Sequence, residues 1–184
     1  MTLIPRTPGN ALIHAPVLTT ERLILRAPEA ADFDSVAAFW ATERSRHMGG
    51  PLNRAAAWRA FAAELGHWLL RGYGLFHIIE RDTGAHVGHA GFWNPEGWAE
   101  VELGWAVYDG FEGRGFALEA AQRLRAYAYD TLGWGPLSSV IAPDNARSIA
   151  LAERLGARFE RNWTSPAGKP AVIYRHPGPQ ERAA

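Results

Sequence analysis

The chain reads as a mixed α/β (α+β) fold, a mostly antiparallel central sheet of about seven strands flanked by about four helices. Three observations predict it. Apolar periodicities alternate between two and three-to-four residues in the order β, α, α, three β, α, β, α, β, β. Two apolar runs, 75–80 and 86–93, flank Asp82-Thr83-Gly84, a hairpin signal that makes neighbouring strands antiparallel. Finally, the stretch Val101 to Glu119 carries a strand through a glycine-spaced loop straight into an alanine-rich helix, which makes one crossover between adjacent strands.

Composition sets the class. With 184 residues, 47% hydrophobic and 21% charged, the chain suits one domain over 17–176, preceded by an irregular lead-in at 1–16 and followed by a tail at 177–184. Lys+Arg and Asp+Glu are equal at 19 each, so no net positive field exists to hold nucleic acid or an anionic membrane. Nearly every cation is Arg, with Lys169 the only lysine, a bias that codon usage explains without invoking phosphate recognition. The absence of cysteine excludes disulfides, thiolate zinc sites and a cysteine nucleophile. Pro5, Pro8 and Gly9 break the first residues before any long apolar run, so neither a signal peptide nor a membrane span is expected and the expected location is cytoplasmic.

The elements follow from local pattern. Val17 to Arg26 mixes leucines with β-branched Thr19, Thr20 and Ile24 and reads as a strand. Pro28 then opens a helix whose apolar face is Phe33, Val36, Ala37 and Trp40. The segment 42–52, with Gly49, Gly50 and Pro51, is either a substrate-facing lid or a connector. A second helix, about Arg54 to Leu70, places Trp58, Phe61, Ala62, Leu65, Trp68 and Leu69 on one stripe and ends at Gly72. Strands 75–80, 86–93 and 99–108 form a meander. A helix over 117–132 stops at Gly133, a short strand covers 137–142, and Pro143-Asp144-Asn145 leads into a helix over 146–155 closed by Gly156. Strands 158–164 and 171–176, joined at 166–169, complete the sheet, and the tail beyond reads as frayed.

Chemistry concentrates in the crossover. Glu112-Gly113-Arg114-Gly115-Phe116-Ala117 places glycines where a backbone approaches a ligand and delivers the loop to a helix N-terminus, an anion site made of unpaired amides and the helix dipole. No Lys-Ser or Lys-Thr follows, and the spacing matches neither the Walker nor the dinucleotide fingerprint. A plain strand-to-helix turn has the same local pattern.

The wider context resembles one family. A strand, then a loop of the form Q/R-x-x-G-x-G/A, then a helix, a short strand, and a helix opening on Asn145-Ala146-Arg147-Ser148 and ending in Glu153-Arg154-Leu155-Gly156 is similar to the GNAT superfamily of acyl-CoA-dependent N-acetyltransferases. The likeness covers about residues 18 to 175. Thr20 to Arg26 and Gly113 to Ala120 most resemble the branch that includes ribosomal-protein N-terminal acetyltransferases. Glu112 departs from the family's usual Gln or Arg, which bears on affinity more than on function.

The resemblance implies acetyl-CoA as cosubstrate and no metal. It assigns the pyrophosphate to the loop Glu112, Gly113, Arg114, Gly115, Phe116 and Ala117, held mainly by backbone amides from Gly113 onward. It assigns the pantetheine arm to backbone groups of Trp105 and Val107 and to Asn145, with the Val107 amide polarising the thioester carbonyl. Asn145 is equally a helix N-cap, and the two roles are compatible. The catalytic candidates are Glu102 as base, Glu100 as the alternative base, and Ser148 in place of the family's usual tyrosine, as an acid or a donor to the departing sulfur. Two neighbouring carboxylates raise one pKa towards working pH, whereas solvated carboxylates on a half-exposed strand look the same in sequence. Arg46, His47, Trp93 and Trp98 are candidate acceptor contacts. His86 and His89, three apart on a strand, are expected on opposite faces and make no metal site.

The expected activity is transfer of an acetyl group from acetyl-CoA directly to a primary amine, a protein N-terminus or a small molecule, by a monomer or homodimer with no nucleic-acid or membrane partner. The alternative is a domain that binds acyl-CoA without turnover.

Overall fold

The computed structural model describes residues 15–183, so the first fourteen residues of the expected lead-in lie outside it. One eight-stranded sheet forms the centre, in the order β1-β2-β3-β4-β5-β6-β8-β7. Its strands are β1 (Leu18–Thr19), β2 (Leu23–Arg26), β3 (Leu75–Glu80), β4 (His86–Trp93), β5 (Glu102–Val107), β6 (Ser138–Ile141), β7 (Arg158–Thr164) and β8 (Pro170–Arg175). Among the described residues only β5 and β6 pair in parallel. The expected first strand is two, because the chain turns at Thr20, whose hydroxyl accepts the Leu23 N–H at 2.9 Å, and Leu18 and Thr19 fold back onto Leu25 and Ile24.

Four helices cover the sheet: α1 (Phe33–Trp40), α2 (Arg54–Arg71), α3 (Phe116–Ala126) and α4 (Ala146–Arg154). The α3 helix loosens into one π turn at Tyr127–Thr131, and the tail beyond β8 forms a 3-10 turn at Pro179–Ala183 rather than fraying. Successive β5 residues face opposite sides. Ala106 joins Val36, Trp40, Ala57 and Phe61 under α1 and α2, whereas Leu103 packs with Phe92, Phe116 and Leu124 under α3. Among the described residues no helix is long and apolar enough to cross a membrane.

Two expectations about faces are corrected. The α2 helix buries Ala57, Phe61, Glu64 and Trp68, while Trp58 is 53% exposed and Leu69 54% exposed. The aromatic weight of Trp58 draws a sequence stripe off the true one, since the core accepts the carboxylate of Glu64 through hydrogen bonding to His77 at 3.1 Å. His86 and His89 also share a face. A bulge at Val87 shifts the β3–β4 register between Ile78 and Ile79, and the extra residue brings the two rings to the same side. His86 stacks on His77 at 4.5 Å, and both His86 and His89 stand against Tyr108.

Candidate active site

The site opens where the sheet parts. Glu102 opposite Ser138 is the one register pair between β5 and β6 among the described residues, and beyond it side chains replace the backbone ladder. The Ser139 hydroxyl donates to the Leu103 carbonyl at 2.6 Å, and the Glu102 carboxylate accepts the Val140 N–H. Because the one hydroxyl proton of Ser139 goes to Leu103, His176 Nε2, 2.9 Å away, donates to Ser139. Burial first, then Arg125 and Arg175, hold the His176 pKa down to about 4, so this ring is neutral.

Strand alternation aims backbone groups into the gap. Tyr108 N–H donates to the Val87 carbonyl at 2.9 Å, so Val107 opposite Gly88, and Trp105 opposite Ala90, are the pairs whose N–H and C=O turn away from β4 towards the parting. The Val107 carbonyl is taken by Arg44 Nη2 at 2.8 Å. Arg44 also reaches Asp109 at 3.1 Å and pairs with Glu112. It thereby ties the 3-10 segment Glu43–Met48 to the glycine loop, a link with no local sequence signal.

A cleft of about 850 Å³ runs along this parting on the α1–α2 side. Glu102 lies in its wall, on the same face as Gly104 and Ala106. Trp98 Nε1 donates to Glu102 Oε2 at 3.1 Å. Desolvation pushes the Glu102 pKa up to about 8, outweighing the Trp98 and Val140 bonds, which favour the charged form. Gly104 makes the room: a Cβ there would stand 3.3 Å from Glu102 Oε1, and apart from Glu102 the space above it is open.

The structure brings most of the sequence candidates together. Trp105, Asn145 and Ser148 line the cleft with Glu102, as do Arg46, His47, Trp93 and Trp98. The Asn145 side chain accepts the Ser148 N–H at 3.3 Å, so it is the N-cap of α4 while facing the cleft. His47 Nδ1 lies 3.4 Å from Asp144 across the mouth. Glu100 stands apart. Strand β5 begins only at Glu102, so alternation does not reach back to Glu100, whose carboxylate is forked by Arg175 at 2.5 and 2.7 Å and approached by Arg161 at 3.3 Å. The raised pKa of Glu102 therefore comes from burial and not from a carboxylate pair.

The glycine loop lies outside the lining of this cleft. Gly115 caps α3 with φ 82°, a left-handed backbone that favours glycine, and Glu119 N–H is the first to find a helix carbonyl, that of Gly115. The amides of Phe116, Ala117 and Leu118 thus precede the helix's own ladder. Nothing lies within 4 Å of a Cβ at Gly113, and only Arg22 Nη2, at 3.4 Å, approaches one at Gly115. Exposed amides, a helix N-terminus and an unfilled approach suit an anion such as a pyrophosphate. Arg22 fixes the loop by donating to the Arg114 carbonyl at 2.8 Å while pairing with Glu119 at 2.6 Å.

Sequence reasoning missed the cleft floor. Trp40, Glu64, His89 and Trp163 line it, from helices and strands distant in the chain, and no local spacing announces them. Behind Glu64 runs a buried network: Arg26 forks Asp32 at 2.7 and 2.8 Å, Asp32 accepts from His77 Nδ1 at 2.9 Å, and His77 Nε2 reaches Glu64 at 3.1 Å. Burial opposes a charge on His77, but the two carboxylates prevail and raise its pKa. Asp32, His77 and His86 place possible ligand atoms within 4.8 Å of one another, yet Arg26 holds the carboxylate and both His77 nitrogens are engaged, so the geometry is that of an ion-pair chain.

Comparison with known proteins places this architecture. The profile of an acetyltransferase (GNAT) domain matches residues 22–158. The uncharacterized N-acetyltransferase p20 of Bacillus licheniformis is 28% identical over 164 residues, covering 85% of this chain and 92% of its own. The crystal structure of an acetyltransferase from Agrobacterium tumefaciens superposes with a TM-score of 0.82 at 37% identity, over 91% of this chain and 98% of that one. The ribosomal-protein-S5-alanine acetyltransferase of Vibrio fischeri, at 13% identity and a TM-score of 0.67 over 91% and 99% of the two chains, shares the fold.

Proposed function

The chain belongs to the GNAT acetyltransferase family, and on that premise we propose that it moves an acetyl group from acetyl-CoA directly to a primary amine, on a protein N-terminus or a small molecule. The observation that carries this reading is Glu102, a carboxylate raised to about 8 at the point where β5 and β6 part, in one cleft with Ser148 and Asn145. Acetyl-CoA supplies an activated thioester. The amides from Gly113 to Ala117 hold its pyrophosphate, and Glu112, engaged by Arg44, braces that loop. Backbone groups of Trp105 and Val107, together with Asn145, hold the extended arm as a strand would.

Glu102 accepts the proton of the incoming ammonium. A proton affinity near that of an amine makes the transfer nearly balanced, at the cost of a smaller ionised fraction at neutral pH. The Val107 N–H polarises the acyl carbonyl, and the Ser148 hydroxyl donates to the departing sulfur. Glu100, held by two arginines, has no part in the proton transfer. A cytoplasmic location, where acetyl-CoA is made and used, fits this activity.

Calorimetric titration with acetyl-CoA, followed by thiol release over a panel of amines, tests the reading. Micromolar binding with amine-dependent thiol release is expected. No binding at millimolar acetyl-CoA overturns it, and binding without release on any amine points instead to a silent acyl-CoA domain.

A further inference from the structure

Resting on that reading, we propose that the acceptor is a small aromatic amine bearing a hydroxyl at the end remote from its nitrogen. Five indoles, Trp40, Trp93, Trp98, Trp105 and Trp163, line the cleft, and Trp98 and Trp163 meet edge to face at 5.1 Å. Such walls suit a flat ring. They suit a peptide poorly, because its amides would be buried against indole carbons without partners.

Charge narrows the class further. The inner carboxylates are Glu102 and Glu64, and Glu64 is already balanced by His77 behind it. The cations of the lining, Arg46 and Lys169, are exposed to solvent, so among the described residues none stands inside to meet an acidic acceptor. No inner carboxylate remains for the second and third nitrogens of a polyamine, since Asp144 and Glu96 are exposed and face His47 and Arg71.

The far end carries the polar demand. Trp40 Nε1 and His89 Nε2 are buried with no hydrogen-bond partner, and both side chains line the cleft beside Glu64. The indole can only donate, while the carboxylate only accepts, and a hydroxyl answers both at once. The reach is right. Glu102 stands opposite Trp93, and His89 stands opposite Ala106, four residues further along the strands. That is about 13 Å of backbone, enough to lay a phenyl ring with a short alkyl arm along the strand between the two ends. Gly104, lying between, leaves the floor bare beneath that ring.

The test uses para-hydroxyphenethylamine, phenethylamine, spermidine and an alanine-initiated peptide, read by calorimetric binding to the protein alone and by thiol release with acetyl-CoA. The hydroxylated amine is expected to lead spermidine and the peptide by roughly a hundredfold in kcat/KM, and phenethylamine by about tenfold. Trp40→Phe, which keeps the ring and removes the donor, is expected to abolish the tenfold preference in both readouts. Faster turnover of spermidine or the peptide overturns the acceptor class and leaves acetyl transfer standing. Equal binding of the two aromatic amines, or a preference unchanged in Trp40→Phe, overturns the polar far end. Tight binding of the hydroxylated amine without thiol release supports the ligand class and overturns the transfer reading.

Discussion

Glu100 and Glu102 are two residues apart and live in opposite electrostatic worlds. Glu100 sits at the rim of the sheet in a cluster with Arg175 and Arg161, and Arg175 also binds Glu160 at 2.8 Å. Glu102 is turned into the cleft, where two neutral donors meet it and no cation pairs with it among the described residues. The rim carboxylate is bound by two guanidinium groups. The cleft carboxylate holds its proton more tightly, because desolvation without a counter-ion is what lifts a carboxyl to about 8.

That contrast is broken most severely at Glu102 itself. Glu102→Gln is expected to lower kcat/KM by about a hundredfold or more and to remove the rise in rate as pH climbs through about 8. A pH–rate profile of both proteins checks it. Stability must move the other way. The folded pKa is raised above the ordinary 4.5, so the carboxyl's contribution is whole below 4.5 and is lost as pH rises through about 8. Glu102→Gln should therefore gain roughly 3 kcal/mol on the parent between pH 5 and pH 9 in denaturant titrations, a figure discounted for partial exposure.

Trp98→Phe sharpens the comparison by removing a bond that favours ionised Glu102. The rising limb should move up by about one pH unit, and the rate at pH 7 should fall about tenfold. Gly104→Ala crowds the same carboxylate and is expected to lower kcat/KM about fivefold with little change in Tm. Glu100→Gln should do least to catalysis: kcat/KM within about twofold, the limb unmoved, and about 1–2 kcal/mol of stability lost, as for a half-buried, forked ion pair. A shift of the limb in Glu100→Gln would mean that the two carboxylates are coupled after all.

How far this was legible in the sequence depended on whether the signal was local. Strands 75–80 and 86–93 were readable to the residue because their apolar runs end on turn residues. That Glu102, Asn145 and Ser148 come to one cleft was readable because a spaced set of motifs fixes their neighbourhood. The α2 face was not, since Glu64 and His67 are buried against His77 and Tyr73, which lie outside the helix, and a polar residue gives no core signal. The shared face of His86 and His89 depends on one bulged residue, which composition does not announce. The same holds for Arg44, whose value lies in joining three groups about sixty residues downstream.

The Ser139 hydroxyl bound to Leu103 has a wider consequence. It stops two parallel strands from zipping any further, and so gives the sheet a pair of edges in its middle instead of only at its rims. Outer edges of this kind invite strangers, because bare N–H and C=O groups recruit any extended chain. An edge facing inward can be reached only by a slender linear molecule with amides of its own. One hydroxyl thus turns the feature that makes sheets prone to aggregate into a selective slot, and a molecule lying in it completes the sheet as an additional strand.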